Sequence, residues 1–244
     1  SSALLNRVAE SMVIFCPMTQ LGCLSACSFV AARISSPVQV RNGPPEQVRM
    51  MREYGFPLTA LESGDPIRMF DFVGFTLQYE MSYTNVLNML DLAHIPLRAS
   101  DREESDPIVI GGGPCAYNPE PMADFFDLFN IGEGEEMLPE IVRLYIRMKD
   151  EGRYSREAFL HEAARTIEGV YVPSLYRVTY HEDGTIEAYT PIYEDIPKQV
   201  RRRIIKNMDK SYFPEKPVMP YIETVHDRIM LEVFRGCIRG CRFC

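Results

Sequence analysis

Apolar residues in the first two thirds of the chain fall into short runs that alternate with polar loops and amphipathic segments. Mostly apolar runs of strand length occupy residues 11–16, 71–77, 107–110 and 125–131. The sequence predicts three helices: residues 48–55, which a glycine closes, the amphipathic residues 83–93, and residues 137–149. The apolar face of the second helix consists of Val86, Leu87, Leu90 and Ala93.

This alternation of strands and helices predicts an α/β fold with a parallel sheet and flanking helices on both faces. Right-handed connections would bring the loops after Leu77, Ile110 and Ile131 to one edge of the sheet. Sheets of this type bind ligands at that edge. We therefore expect the functional site to lie there.

The pattern changes after residue 165. Residues 176–180 and 185–189 predict the two strands of a β-hairpin, because the Asp183-Gly184 pair between them is a turn signal. Pro214, Pro217 and Pro220 mark an extended linker. A last apolar run over residues 229–234 predicts a strand that leads directly into a group of cysteines.

The charge and composition narrow the classes of function. A net charge of −8 argues against a broad nucleic-acid-binding surface. A local basic group, Arg201, Arg202, Arg203 and Lys206, could contact RNA phosphates, although a solvated surface is the favoured interpretation. No apolar run approaches the roughly 20 residues of a membrane-spanning helix, so no membrane partner is expected. The chain lacks a signal-peptide pattern, and we expect a cytoplasmic, reducing location.

Three of the seven cysteines, Cys237, Cys241 and Cys244, are spaced CxxxCxxC. Their thiolates can bind three irons of a 4Fe–4S cluster and leave the fourth iron open. An open iron can be chelated by S-adenosylmethionine (SAM), and Phe243 stands where an aromatic ring can lie against the adenine. The motif therefore predicts reductive cleavage of SAM to a 5′-deoxyadenosyl radical.

Alternatives remain open for the same cysteines. A partial zinc site could use His226 as its fourth ligand, although zinc sites usually take cysteines in CxxC pairs. The spacing could also be coincidental. With iron or zinc bound only structurally, the protein would be a non-catalytic α/β ligand-binding module. The other cysteines, Cys16, Cys23, Cys27 and Cys115, are interpreted as small buried hydrophobic residues.

Two glycine-rich loops follow predicted strands and fall at the expected ligand edge. Residues 111–114 and 132–134 could admit a large flat cofactor, or they could simply form tight turns. Neither loop matches GxGxxG, so a dinucleotide site is not supported. Three glutamates stand at the first turn of the helix that follows the second loop: Glu133, Glu135 and Glu136. Their carboxylates are interpreted as charges that offset the helix dipole, and a general-base role is the weaker alternative.

With these motifs, the chain resembles the N-terminal half of a family of radical SAM proteins in which a cobalamin-binding-type domain precedes the radical barrel. The resemblance runs from about Met50 to the end and is carried by residues 71–96, 110–136 and 220–244. It implies a Rossmann-like domain (residues 1–165), a connector with the hairpin (166–220) and the start of a radical SAM domain (221–244). Residues 229–234 would then form the first strand of a partial TIM barrel that this chain truncates.

The resemblance also implies cofactors, partners and roles. It implies a 4Fe–4S cluster bound by Cys237, Cys241 and Cys244, and SAM in contact with Phe243. Cobalamin is a further candidate cofactor, whose edge would face Gly112, Gly113, Gly132 and Gly134. The sequence contains no DxHxxG motif that would supply a histidine beneath cobalt. A one-electron reductant such as flavodoxin or ferredoxin is the implied partner.

Two departures from the family limit what this chain is expected to do. The rest of the barrel is absent, so we expect the intact protein to be an enzyme and the isolated 244 residues to be inactive. Residues 17–47 do not follow the family pattern, which we interpret as the product of a frameshift. A gene sequence that encodes these residues without a slip would contradict that hypothesis.

Overall fold

The alternating segments fold into a five-stranded sheet flanked by helices. The structure, a computed structural model, describes residues 12–15, 45–60, 64–211 and 235–242. The strands lie in the order in which they occur along the chain: β1 Met12–Phe15, β2 Phe72–Thr76, β3 Ile108–Gly112, β4 Leu128–Asn130 and β5 Val170–Tyr171. The predicted α/β fold with a parallel sheet is confirmed for β1 to β4, which are parallel. The fifth strand, which the sequence did not predict, is antiparallel to β4.

In the described part of the chain, four α-helices accompany these strands: α1 Pro45–Tyr54, α2 Tyr83–Leu92, α3 Gly134–Asp150 and α4 Arg156–Thr166. The first three were predicted, with bounds that differ by a few residues. The fourth was missed, although Ser155 is a typical N-cap whose side chain accepts a hydrogen bond from the Ala158 amide. The predicted strand over residues 125–131 is shorter in the structure, because residues 120–125 form a 3₁₀ turn.

Aromatic side chains fill both faces of the sheet. On one face, the Phe72 ring contacts Tyr145 of α3 at 4.8 Å and Phe159 of α4 at 6.1 Å between centroids. On the other face, Phe126 lies between Phe75 and Phe129, at 5.8 and 4.9 Å. The sheet is therefore covered on both sides, which is why its strands are mostly apolar.

The predicted hairpin is confirmed as β6 Tyr176–Tyr180 and β7 Ile186–Pro191. An isolated two-stranded hairpin is marginal in water, so its attachment matters. Tyr176 and Tyr189 stack at 4.8 Å, and Tyr171 of β5 lies 5.2 Å from Tyr176. These tyrosines continue the aromatic packing from the sheet into the hairpin.

A buried ion-pair network holds the amino-terminal ends of β3 and β4 together. The Asp127 carboxylate accepts hydrogen bonds from the Arg102 guanidinium at 2.8 Å and from the Val109 amide at 2.7 Å. Arg156 of α4 contacts the same carboxylate at 2.8 Å. Only 2% of the Asp127 side chain and none of the Arg102 side chain is exposed. Burial lowers the pKa of the Arg102 guanidinium, and the adjacent Asp127 charge acts in the opposite direction.

Several predicted features fall outside the described residues. They include the proline linker, the strand over residues 229–234 and residues 17–44 of the irregular stretch. The last residues of that stretch, 45–47, belong to α1. Among the helices that the structure describes, none combines the length and apolar character needed to cross a membrane.

We expect the variant Asp127→Asn to lose about 3–5 kcal/mol of unfolding free energy, because it leaves two buried guanidinium groups without their counter-charge. The matched control is Asp124→Asn, which breaks the exposed Arg98–Asp124 pair and should cost at most about 1 kcal/mol. Urea unfolding of both variants measures the difference. Equal losses would contradict a special role for Asp127.

Candidate metal centre and the carboxyl edge of the sheet

The loops after β2 and β3 meet at the carboxyl edge of the sheet, as the sequence predicts. The Leu77 amide donates to the Gly112 carbonyl at 2.7 Å, and the Cys115 amide donates to the Leu77 carbonyl at 3.0 Å. Gly113 has a φ of +93°, and a Cβ there would lie 2.9 Å from the Leu77 carbonyl oxygen. Glycine is thus required at this position by backbone conformation and by the close approach of the two loops.

One polar atom is left unsatisfied at this edge. The amide oxygen of Asn130, at the carboxyl end of β4, is buried and has no hydrogen-bond partner among the described residues. Gly112 stands beside it, since a Cβ at Gly112 would lie 3.8 Å from the Asn130 Cβ. Buried polar groups of this kind are normally paired, so Asn130 marks a place where a donor is missing.

The chain itself covers the edge next to β4. Gly132 and Arg203 form a parallel backbone bridge, in which the Glu133 amide donates to the Arg203 carbonyl at 3.0 Å. Gly132 has a φ of +115°, and a Cβ there would lie 2.2 Å from the Arg203 carbonyl oxygen. Of the four glycines predicted to face a cofactor, Gly132 therefore faces the connector backbone. Gly134 begins α3, and a Cβ there would lie at an ordinary contact distance, 3.6 Å, from the Leu138 side chain.

The glutamates at the start of α3 bind two later parts of the chain. Glu136 and Glu140 both contact the Arg203 guanidinium at 2.8 Å. Glu133 and Glu135 contact the Arg235 guanidinium, at 3.3 and 2.5 Å. The sequence predicted Glu133, Glu135 and Glu136 only as charges that offset the helix dipole. The arginine partners were missed because they lie 63 to 102 residues away along the chain, where no periodic pattern links them.

The cysteine loop begins at Arg235 and presents its sulfur atoms to solvent. Cys237 and Cys241 are exposed and are not joined in a disulfide. The Arg239 amide donates to the Cys237 sulfur at 3.3 Å, as backbone amides do to thiolates in iron–sulfur loops. Gly236 has a φ of +84°, and a Cβ added at either Gly236 or Gly240 would meet no atom within 4 Å. The described part of the loop thus fits a cluster, with free soft ligands and room around the backbone.

Except for Cys115, the other residues that the sequence analysis considered for the metal site, or as further cysteines, fall outside the described ranges. Cys244, Phe243, His226, Cys16, Cys23 and Cys27 lie outside the described residues. Within the described ranges, which contain two of the three motif cysteines, no three His, Cys, Asp or Glu side chains are close enough to bind one metal ion.

Cys115 behaves as a structural residue. Burial, followed by the Glu80 carboxylate, raises the pKa of its thiol, and a hydrogen bond with Tyr83 acts in the opposite direction. Burial likewise raises the pKa of Tyr83. Cys115 is therefore protonated at neutral pH, which makes it a poor metal ligand and a poor nucleophile.

The comparisons with known proteins identify the family and do not test the cysteine motif. The family model described as "Radical SAM proteins, N-terminal" matches residues 42–173, from just before α1 to just after β5. An uncharacterised protein of Methanocaldococcus jannaschii is 29% identical over 189 residues, which cover 75% of this chain and 32% of the relative. The chain thus spans about a third of the length of that relative. No solved structure matches.

We expect Gly132→Ala to destabilise the protein more than Gly152→Ala, which has a φ of +65° but an empty space around its Cβ position. The control should lose about 1–2 kcal/mol through backbone strain alone. Gly132→Ala should lose more and should release the connector, because its Cβ would collide with Arg203. Urea unfolding, with hydrogen exchange at the Arg203 and Ile205 amides, measures both effects. Equal losses of unfolding free energy in the two variants, with unchanged exchange at Arg203 and Ile205, would contradict the close packing of Gly132 against the connector.

Proposed function

Because the chain belongs to the family of radical SAM proteins, as part of their N-terminal region, we propose that the intact protein is a radical SAM enzyme. In this proposal, Cys237, Cys241 and Cys244 bind three irons of a 4Fe–4S cluster. The observation that carries it is the CxxxCxxC spacing, in a chain of this family, within an exposed loop that contacts the carboxyl edge of the sheet.

The roles of the chain's own residues follow from their chemistry. Three cysteine thiolates would hold the cluster and would leave one iron for the amino and carboxylate groups of SAM. A bound, reduced cluster would supply the one electron needed to cleave a C–S bond of SAM, with methionine and a 5′-deoxyadenosyl radical as the products. A flavodoxin or ferredoxin would deliver that electron. Phe243 would contact the adenine, and the Arg239 amide would hydrogen-bond to the Cys237 sulfur.

The sheet domain would act as a Rossmann-like, cobalamin-binding-type domain. The edge beside β3 suits a ligand better than the edge beside β4, because Arg203 covers Gly132. Gly112 and Gly113 would then lie nearest to cobalamin, Gly132 and Gly134 would shape the connector side, and the Asn130 amide oxygen would accept a hydrogen bond from the ligand. Cobalamin is proposed here as a bound group, and no step of the reaction is assigned to it.

We propose that the chain is divided into the three parts that the family resemblance implies. Residues 1–165 would form the Rossmann-like domain, 166–220 the connector and 221–244 the start of the radical SAM domain, with residues 229–234 as its first barrel strand. We place the protein in the cytoplasm, where thiols stay reduced. The wider protein's substrate contacts would come from the part that the longer relative contains and this chain does not.

Anaerobic reconstitution of the full 244-residue chain with iron and sulfide tests the proposal. We expect equal amounts of bound iron and sulfide, a brown absorption, and a reduced-state electron paramagnetic resonance spectrum that changes when SAM is added. Each of Cys237→Ala, Cys241→Ala and Cys244→Ala should abolish these signals, since each removes a ligand. Cys115→Ala is the matched control and should leave them intact.

Two results would contradict the proposal. A colourless zinc site with no iron uptake would indicate the non-catalytic module. A cluster that survives the loss of Cys241, or whose spectrum ignores SAM, would show that the motif does not bind it as proposed.

A further inference from the structure

Among the described residues, Arg235 joins the cysteine loop to the sheet domain. Arg235 stands two residues before Cys237, and its guanidinium lies between the Glu135 carboxylate at 2.5 Å and the Glu133 carboxylate at 3.3 Å. These partners are 100 and 102 residues away in sequence. A contact at such separation fixes the position of one part of the chain relative to another.

This contact is partly withdrawn from solvent. The exposed side-chain fractions are 10% for Glu135, 24% for Glu133 and 22% for Arg235. Ion pairs that are shielded in this way are screened less by salt than surface pairs. The Glu133 carboxylate also accepts a hydrogen bond from the Ile205 amide, so the same side chain holds the connector.

The rest of the described loop makes few contacts. Residues 236–242 are exposed, and the space around Gly236 and Gly240 is open. The Arg239 amide bond to Cys237 is internal to the loop. Where the loop lies relative to the sheet therefore depends strongly on Arg235.

We propose that Glu133 and Glu135 are positioning residues that act through Arg235 to hold the cluster-binding loop at the carboxyl edge of the sheet. The inference rests on the proposed function in so far as the loop binds a cluster. The two carboxylates and one guanidinium carry a net charge of −1, and Arg235 stands two residues before Cys237. Negative charge near a cluster stabilises its oxidised form, so these residues also lower its reduction potential.

The first measurement needs no cluster. In the full-length apo chain, nitroxides attached through p-acetylphenylalanine at the exposed positions Ile238 and Tyr117 report the distance between the loop and the sheet edge. The fraction of molecules with the loop undocked should rise about five- to tenfold in Glu135→Gln and in Arg235→Ala, a change that corresponds to about 1–1.4 kcal/mol. Combining Glu135→Arg with Arg235→Glu should restore much of the docked population. Glu136→Gln is the matched control, because it removes a charge from the same helical turn but contacts Arg203 instead.

The second measurement uses the reconstituted chain. The reduction potential of the cluster should rise in Glu135→Gln, return toward the wild-type value in the charge exchange, and change less in Glu136→Gln. A purely structural role for Glu135 would not produce that pattern. If Glu135→Gln fails to fold, Arg235→Ala still tests the contact. The Arg235 side chain lies outside the sheet core, so its removal should leave the fold intact.

The outcomes separate this inference from the proposed function. A distance between the labels at positions 238 and 117 that is unchanged in both Glu135→Gln and Arg235→Ala would overturn the inference, whether or not a cluster forms. Failure of the wild-type chain to bind iron, with the loop still docked through Arg235, would overturn the proposed function and support the docking contact alone.

Discussion

The buried carboxylate of Asp127 is the interaction on which the arrangement of the sheet depends. It is held by two arginines from different parts of the chain, Arg102 before β3 and Arg156 at the start of α4, and by the Val109 amide. Burying three charges is costly unless each is paired, so the network tolerates one arrangement of these segments. It lies at the amino-terminal ends of the strands. The carboxyl ends are consequently free to hold loops, glycines and surface charges.

The carboxyl edge is organised by a second set of charges, which act between distant segments. Four glutamates lie at or near the start of α3. Glu136 and Glu140 bind the connector through Arg203. Glu133 and Glu135 bind the cysteine loop through Arg235. The positive end of the α3 dipole tolerates this concentration of carboxylates. The start of the described cysteine loop thus lies beside the glycine loop that follows β4, although about 100 residues separate them along the chain. The family match, which ends at residue 173, does not include the cysteine loop.

Local patterns predicted most of the secondary structure and none of the long-range pairing. The apolar runs at β2, β3 and β4, the amphipathic face of α2, and the Asp-Gly turn of the hairpin depend on neighbouring residues, so their periodicity is visible in sequence. β5 has two residues, too few to show a period. Asp127, Arg102 and Arg156 look like ordinary surface charges until the fold buries them. The glycines at 112, 113, 132 and 134 were predicted as one cofactor edge, whereas Gly132 is covered by Arg203, a contact that no local pattern encodes. The cysteine ligands rest on spacing and family resemblance, and they remain a prediction.

The central claim is that the cluster forms at the carboxyl edge of the sheet. Its most direct test is the relaxation enhancement that the reduced cluster imposes on a nitroxide attached through p-acetylphenylalanine. One label would replace Tyr117, which is exposed in the loop after β3, and the other would replace Ser100, which is exposed before β3. A strand of five residues separates the two edges by about 17 Å, enough to distinguish them. We expect strong relaxation enhancement of the nitroxide at position 117 and weak enhancement at position 100. Equal enhancement, or a stronger effect at position 100, would contradict it.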